Sequence, residues 1–312
     1  MALDILSLIG GLVLLVGAAH FLVLGAAALA LRFGLSPLVV GLTVVAFGTS
    51  APELVVSVQA ALSGAGGIAV GNVVGSNIAN VGLILGVAVI VKPIVSDPGV
   101  LRRDLPVLLA ATAFGAFVLA DREVGRLEGV ILLAALVVYL VWSVWAAHRD
   151  SVEAELPVDG PSASVAREVI LVVGGLVGLV VGADLFVGGA VRLAEAAGVS
   201  NAVIGLTVVA LGTSLPELAT SVVAALRGES EIAVGNVVGS NLFNVLGILG
   251  VGAIVRPLAA PGLEVVDVVV MCVVTAAVLP MMASGRRLAR VEGALLLAGY
   301  LGYVGYLVVQ HG

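Results

Sequence analysis

Residues 41–86 read GLTVVAFGTSAPELVVSVQAALSGAGGIAVGNVVGSNIANVGLILG, and residues 205–250 repeat this stretch as GLTVVALGTSLPELATSVVAALRGESEIAVGNVVGSNLFNVLGILG. The two copies align without a gap at an offset of 164 residues, and 33 of their 46 positions are identical. Agreement of this extent indicates an internal duplication. Because polar positions are repeated as well as apolar ones, shared helix packing alone explains it poorly.

The composition around the repeat is that of a membrane protein. Of the 312 residues, 61% are hydrophobic and 11% are charged, whereas soluble domains carry roughly 45–50% apolar and about 25% charged residues. The net charge of −6 argues against a nucleic-acid partner. The single Cys272 excludes an internal disulfide and a cysteine-ligated metal site.

Glycine, proline and charged residues divide the chain into ten candidate transmembrane helices. They lie near 3–31, 37–63, 68–91, 104–120, 126–147, 166–195, 201–226, 232–255, 262–283 and 288–310. The sequence therefore predicts an all-α polytopic membrane protein with a first five-helix repeat at 1–147, a linker at 148–166 and a second five-helix repeat at 167–312. Because five is odd, the second repeat is predicted to be inverted relative to the first, an architecture typical of secondary transporters.

Basic residues predict the orientation of these helices. Connections after odd-numbered helices hold ten Lys and Arg residues, and the other connections hold four. By the positive-inside rule, the odd connections and the linker are predicted to be cytoplasmic and both termini extracytoplasmic.

The first repeated motif, G-T-S-x-P-E-L, lies within a predicted helix at 48–54 and again at 212–218. Pro52 and Pro216 each lack an amide hydrogen and clash with the preceding turn, so both helices are predicted to break there. Each motif also places a carboxylate, Glu53 or Glu217, inside the membrane, where a charge needs compensation. Neither repeat contains an interior Lys or Arg, so the compensating charge is predicted to be a mobile cation or a proton. The surrounding oxygen atoms suit Ca2+ or Na+ better than zinc or copper.

The second repeated motif, G-N-V-V-G-S-N-x-x-N, lies at 71–80 and 235–244. Ser76 and Asn80 are four residues apart and share a helix face, as do Ser240 and Asn244. We interpret these faces as meeting the glutamates. The motif's remaining asparagines have two open interpretations, helix packing and the cation site; they are Asn72, Asn77, Asn236 and Asn241.

Residues outside the motifs have simpler interpretations. Glu264 and Asp267 are predicted to cap a helix or face water. Asp184, inside the sixth segment, is a candidate for a functional role. The glycines of segments one and six indicate close helix packing or a sliding surface.

The two motifs resemble the alpha-repeats of the calcium:cation antiporter superfamily, and the short ten-helix chain is similar to its prokaryotic sodium/calcium exchangers. The resemblance implies an ion-binding core of helices two, three, seven and eight, across which helices one and six slide. It also implies that Glu53 and Glu217 are the principal ligands of Ca2+ and Na+. Further implied ligands are the hydroxyls of Thr49, Ser50, Thr213, Ser214, Ser76 and Ser240 and the carbonyls of Ala46 and Ala210.

One position departs from the family pattern. Exchangers often carry Asp at the end of the second motif, where this chain has Asn244, mirroring Asn80. The predicted core thus holds two carboxylates, and potassium coupling is disfavoured.

The predicted function is antiport of Ca2+ against Na+ by alternating access in a prokaryotic plasma membrane, with Ca2+/H+ exchange at the same glutamates as the alternative. A cation channel is disfavoured because the repeat is inverted within one chain. An enzyme is disfavoured because the segments lack a nucleophile motif. No cofactor and no obligate protein partner are predicted; the partners are the two ions and the lipid bilayer.

Overall fold

The computed structural model describes residues 2–95, 99–153, 164–197, 210–285 and 287–311. Its helices are α1 Ala2–Arg32, α2 Pro37–Thr49, α3 Ala51–Leu62, α4 Gly66–Val91, α5 Val100–Asp121, α6 Arg126–Glu153, α7 Val165–Ala196, α8 Ala210–Gly212, α9 Leu215–Arg227, α10 Ser230–Val255, α11 Val265–Gly285 and α12 Arg290–His311. Its strands are β1 Ile94–Val95, β2 Glu123–Val124, β3 Leu258–Ala259 and β4 Arg287–Leu288.

Most of these helices are long and apolar enough to cross a membrane. In the described part of the chain, eight helices qualify singly, and the bent pair of α2 and α3 gives a ninth candidate span. Helices satisfy their own backbone hydrogen bonds, which hydrocarbon requires. The predicted all-helical class is confirmed. The predicted seventh segment, 201–226, lies partly outside the described residues, which include only α8 and α9 of it.

Helices α1 and α7 form a closely packed pair. A Cβ atom added to Gly11 would lie 2.7 Å from the carbonyl oxygen of Gly182, and one added to Gly175 would lie 2.8 Å from the Cβ of Leu22. Only glycine allows two backbones to approach this closely. The close packing predicted for segments one and six is present.

Ion pairs join α1 and α7 near both of their ends. Arg32 Nε lies 2.7 Å from Glu168 Oε2 at one end, and Arg192 Nε lies 2.7 Å from Asp4 Oδ1 at the other. Glu168 is buried, so its charge depends on this partner.

Two short strand pairs connect the halves of the molecule. β1 pairs antiparallel with β4, and β2 pairs antiparallel with β3. Each pair joins a connection of the first half to a connection of the second. Four two-residue strands carry little periodic signal, and the sequence did not predict them.

Helix α6 is longer than the sequence predicted. Helix α6 continues to Glu153, so residues 148–153 of the predicted linker are helical, and residues 154–163 lie outside the described part of the chain.

The predicted capping role at the start of α11 is present, because the backbone nitrogen of Glu264 donates to Asp267 Oδ2 at 3.1 Å.

Candidate cation site

The helix break predicted in the first motif lies at Ser50. Helix α2 ends at Thr49, α3 begins at Ala51, and the two axes differ by 47°. Ser50 has φ −83° and ψ 6°, outside helical geometry. Pro52 follows in the first turn of α3, where its missing amide hydrogen costs no helical bond.

The second copy breaks at the same place. Helix α8 ends at Gly212, α9 begins at Leu215, and Ser214 has φ −89° and ψ 4°. Both breaks therefore place a glutamate in the first turn of the following helix. In that turn the unpaired backbone amides favour a negative charge.

The two glutamates are bound crosswise between the halves. Ser50 Oγ donates to Glu217 Oε1 at 2.9 Å, and Ser214 Oγ donates to Glu53 Oε1 at 3.2 Å. Glu53 is 2% exposed and Glu217 is 1% exposed. The donors in these two bonds are neutral hydroxyls, so they orient the carboxylates without neutralising them.

The second oxygen of each carboxylate is buried and has no hydrogen-bond partner. Among the described residues, nine buried side-chain oxygen or nitrogen atoms lack a partner, and six of them belong to residues predicted for the site. These six are Glu53 Oε2, Glu217 Oε2, Asn80 Oδ1, Asn244 Oδ1, Ser240 Oγ and Thr213 Oγ1. Buried polar atoms in proteins are nearly always paired. A concentration of unpaired oxygens fits a hard cation, which takes oxygen ligands.

The structure also shows where the other predicted residues lie. Ser76 is buried on α4. The carbonyl oxygen of Ala46 accepts from the backbone nitrogen of Ser50 at 3.0 Å and lies 3.3 Å from Thr49 Oγ1. Ala210 begins α8. Both α4 and α10 widen into a π turn beside their Ser/Asn faces, at Asn80–Leu85 and Phe243–Ile248. Such turns are frequent at functional sites.

Three of the four asparagines with two open interpretations bond to another helix, and Asn77 Nδ2 donates within its own helix, to the carbonyl oxygen of Val73. Asn72 Nδ2 donates to the carbonyl oxygen of Glu53 at 3.2 Å, and Asn236 Nδ2 donates to that of Glu217 at 3.3 Å. Asn80 Nδ2 donates to Asn241 Oδ1 at 2.9 Å. These bonds join neighbouring helices and also touch site residues, so both interpretations describe part of what the structure contains.

Asp184 lies on α7 and is exposed. Within the described residues, no group of three or more His, Cys, Asp or Glu side chains could hold a metal ion. A cation at the two glutamates therefore depends on hydroxyl, amide and carbonyl oxygens for its remaining ligands.

An all-helical membrane protein with paired broken helices and two buried carboxylates is a narrow class, and comparisons with known proteins define it further. A family model for the sodium/calcium exchanger protein matches residues 3–145 and 168–309. The chain is 42% identical over 308 residues to the putative antiporter CaxA of Alkalimonas amylolytica, covering 94% of this chain and 95% of that protein.

Two further relatives match over almost their whole length. The sodium/calcium exchanger MaX1 of Methanosarcina acetivorans is 33% identical, with 98% of both chains covered. A solved structure of the sodium-calcium exchanger NCX_Mj, soaked with 10 mM Na+ and zero Ca2+, matches with a TM-score of 0.87 at 37% identity and covers 98% of this chain and 99% of that one. The chain belongs to the sodium/calcium exchanger family.

Proposed function

We propose that this protein is an antiporter that exchanges Ca2+ for Na+ by alternating access, with Glu53 and Glu217 as the principal ligands of both ions. The observation that carries the proposal is the crosswise pair of buried carboxylates, each with one oxygen held by a serine and the other without a partner. Two carboxylates are neutralised by one Ca2+ or by two monovalent cations. The same site therefore accepts either ion without a net charge in the membrane.

The proposed ligand set extends the two glutamates with neutral oxygens. It comprises the side chains of Asn80, Asn244, Thr49, Ser50, Thr213, Ser214, Ser76 and Ser240 and the carbonyls of Ala46 and Ala210. The described members of this set lie at or beside the two helix breaks and on the facing surfaces of α4 and α10. All of these oxygens are hard ligands of the kind that Ca2+ and Na+ take.

The strand pairs support ten crossings in two inverted halves. Because β2 and β3 pair, their connections lie at one membrane face, and the number of crossings between them is even. Helices α6, α7 and α10 make three crossings, so the segment containing α8 and α9 supplies the fourth. The pairing of β1 with β4 leads to the same conclusion, because α5, α6, α7, α10 and α11 make five crossings and the segment containing α8 and α9 supplies the sixth.

Alternating access is supported by an unequal covering of the two broken helices. Helix α1 packs along α9, and α7 also contacts it, whereas neither packs along α3 in the described part of the chain. In the proposed topology both termini are extracytoplasmic, so the far end of α9 faces the cytoplasm and that of α3 faces outward. We infer that this arrangement is closed at the cytoplasmic face of a prokaryotic plasma membrane.

The alternative is Ca2+/H+ exchange through the same glutamates. It is favoured by the amides at Asn80 and Asn244, which leave only two carboxylates in the site, because two protons neutralise that pair as completely as one Ca2+ does. In this alternative, Glu53 and Glu217 carry the protons in the return step.

Uptake of radioactive Ca2+ into vesicles containing the purified protein distinguishes the two. One set of vesicles has an outward Na+ gradient at clamped pH, and the other has an outward H+ gradient in sodium-free buffer. We expect uptake in the first set only. Uptake in the second set alone would replace Na+ by H+ as the coupling ion, and uptake equal to that of protein-free vesicles in both would contradict antiport.

A further inference from the structure

Asn236 lies fully buried on α10, behind the second glutamate, and both ends of its amide are used. Its Nδ2 donates to the carbonyl oxygen of Glu217 at 3.3 Å and to Ser221 Oγ at 3.0 Å. Its Oδ1 accepts from Thr49 Oγ1, on the other half of the molecule, at 3.0 Å. Because a backbone carbonyl can only accept, the amide nitrogen faces Glu217 and the amide oxygen faces Thr49. The Thr49 hydroxyl is thereby fixed as the donor.

The single hydrogen of the Thr49 hydroxyl has two acceptors within reach. Asn236 Oδ1 is 3.0 Å away, and the carbonyl oxygen of Ala46 is 3.3 Å away. The Ala46 carbonyl already accepts the backbone nitrogen of Ser50 at 3.0 Å. A carbonyl oxygen has two lone pairs. If the hydroxyl hydrogen also pointed at Ala46, both lone pairs of that carbonyl would be taken.

We propose that Asn236 is a positioning residue for a Na+ site formed by Thr49 and Ala46. By accepting the Thr49 hydrogen, Asn236 leaves the hydroxyl lone pairs and one lone pair of the Ala46 carbonyl directed at the ion. This inference rests on the proposed function, in which those two oxygens bind Na+. Partners behind metal ligands commonly orient them in this way.

The first copy of the repeat lacks this arrangement. Asn72 makes the equivalent donor bonds, to the carbonyl oxygen of Glu53 at 3.2 Å and to Ser57 Oγ at 2.9 Å. Thr213, the repeat equivalent of Thr49, has a buried hydroxyl with no hydrogen-bond partner in the described residues. Asn72 thus fixes a glutamate backbone without orienting a threonine. In this arrangement an asparagine orients the hydroxyl of Thr49, and none orients that of Thr213 within the described residues.

The test uses the reconstituted full chain and measures two quantities, the Na+ concentration that half-saturates exchange and the KM for Ca2+. For Asn236→Leu we expect the half-saturating Na+ concentration to rise roughly tenfold or more, the usual size of a lost partner behind a metal ligand. The KM for Ca2+ should change less, because the carboxylates remain. For Thr49→Val, which is close to threonine in volume, the same rise is expected, and size-exclusion elution checks the fold.

Three controls separate positioning from a purely structural role. Because Asn236 acts through Thr49, the double variant Asn236→Leu with Thr49→Val should be no worse than either single variant. Ser221→Ala removes a contact of Asn236 that does not involve Thr49, so it should leave the half-saturating Na+ concentration unchanged. Asn72→Leu in the other half should raise it less than Asn236→Leu does.

Additive effects in the double variant, or an equal loss for Na+ and Ca2+, would contradict the positioning role. A wild-type protein that shows no Na+-driven uptake would instead contradict Na+/Ca2+ exchange itself. The wild-type measurement therefore decides the proposed function, and the variants decide the role of Asn236.

Discussion

The two broken helices carry the same motif but lie in different surroundings. On α9, Thr220 is fully buried and Val223 is 8% exposed. At the equivalent positions of α3, Val56 is 36% exposed and Gln59 is also exposed. The side chains at these two positions differ between the copies, and so do the neighbouring helices. Helix α1 covers α9, and the described chain has no such cover on α3.

This comparison separates the chemistry of the site from access to it. The two glutamates accept equivalent serine hydrogen bonds, whose lengths differ by 0.3 Å. Helices α1 and α7, in contrast, cover α9 and do not cover α3 in the described residues. Two equivalent broken helices of which only one is covered fit the proposed alternating access. Movement of α1 and α7 from one broken helix to the other would expose the same proposed ligands to the other side of the membrane.

Loss of either carboxylate should have the largest effect and should be equal in the two halves. We expect Glu53→Gln and Glu217→Gln each to lower Ca2+ uptake by roughly 100-fold or more, since a charged ligand is lost from a buried site. Radioactive Ca2+ uptake measures this, and size-exclusion elution checks the fold. Glu123→Gln, at an exposed glutamate on β2, is the matched control and should transport normally. Normal uptake in either site variant would remove that glutamate from the ligand set.

The next prediction concerns the cover, which is helix α1 packed on α9. Arg227 Nη1 lies 2.9 Å from His20 Nδ1 and so ties α1 to the end of α9. At the repeat offset of 164 residues, the equivalent pair is Asp184 and Ser63. With Cys272 replaced by alanine, we expect a flexible dithiol-reactive linker to join His20→Cys to Arg227→Cys and to stop uptake almost completely.

The mirrored pair, Asp184→Cys with Ser63→Cys, sharpens the comparison. It should react only when the cover has moved to α3, so ions that favour that arrangement should raise its yield. Equal yields for both pairs under every ion condition would contradict an unequal cover. Cross-linking of the first pair without loss of transport would show that the cover does not move during exchange.

Much of this molecule could be predicted from its sequence, because duplication and helix breaking leave strong patterns. Pro52 and Pro216 predicted both breaks, and the breaks lie within a few residues of them. The repeat also predicted Glu53 and Glu217 as equivalent partners. Their crosswise serine donors could not be predicted, since which half faces which depends on tertiary packing.

The unequal cover and the orienting bond of Asn236 also have no signature in the sequence. Asn72 and Asn236 occupy identical motif positions, yet only Asn236 accepts from a threonine. The difference arises from the placement of the opposing helix, which a repeat cannot encode. The Asp104–Tyr139 and Asp267–Tyr303 hydrogen bonds were not predicted, because these residues lie outside the two 46-residue copies of the repeat.

A third carboxylate should shift ion preference by a smaller amount. Asn244→Asp adds charge to a site whose Asn244 Oδ1 is buried and has no partner. We expect the KM for Ca2+ to fall relative to the half-saturating Na+ concentration by roughly tenfold, because affinity for Ca2+ rises with the number of charged ligands. Asn80→Asp is its mirror. An unchanged ion preference in both would remove the two asparagines from the site.

The smallest expected effect concerns two tyrosine–aspartate hydrogen bonds, one in each half of the chain. Tyr139 Oη donates to Asp104 at 3.1 Å, and Tyr303 Oη donates to Asp267 at 2.8 Å. Asp104 is fully buried and Asp267 is only partly buried. Tyr139→Phe should therefore cost about 1 kcal/mol of unfolding free energy, since Asp104 Oδ1 keeps Arg103 Nε at 3.2 Å. Tyr303→Phe should cost less, because water can replace the lost donor at the partly buried Asp267. Thermal unfolding in detergent measures both, and equal losses would show that the burial of these carboxylates does not set their dependence on tyrosine.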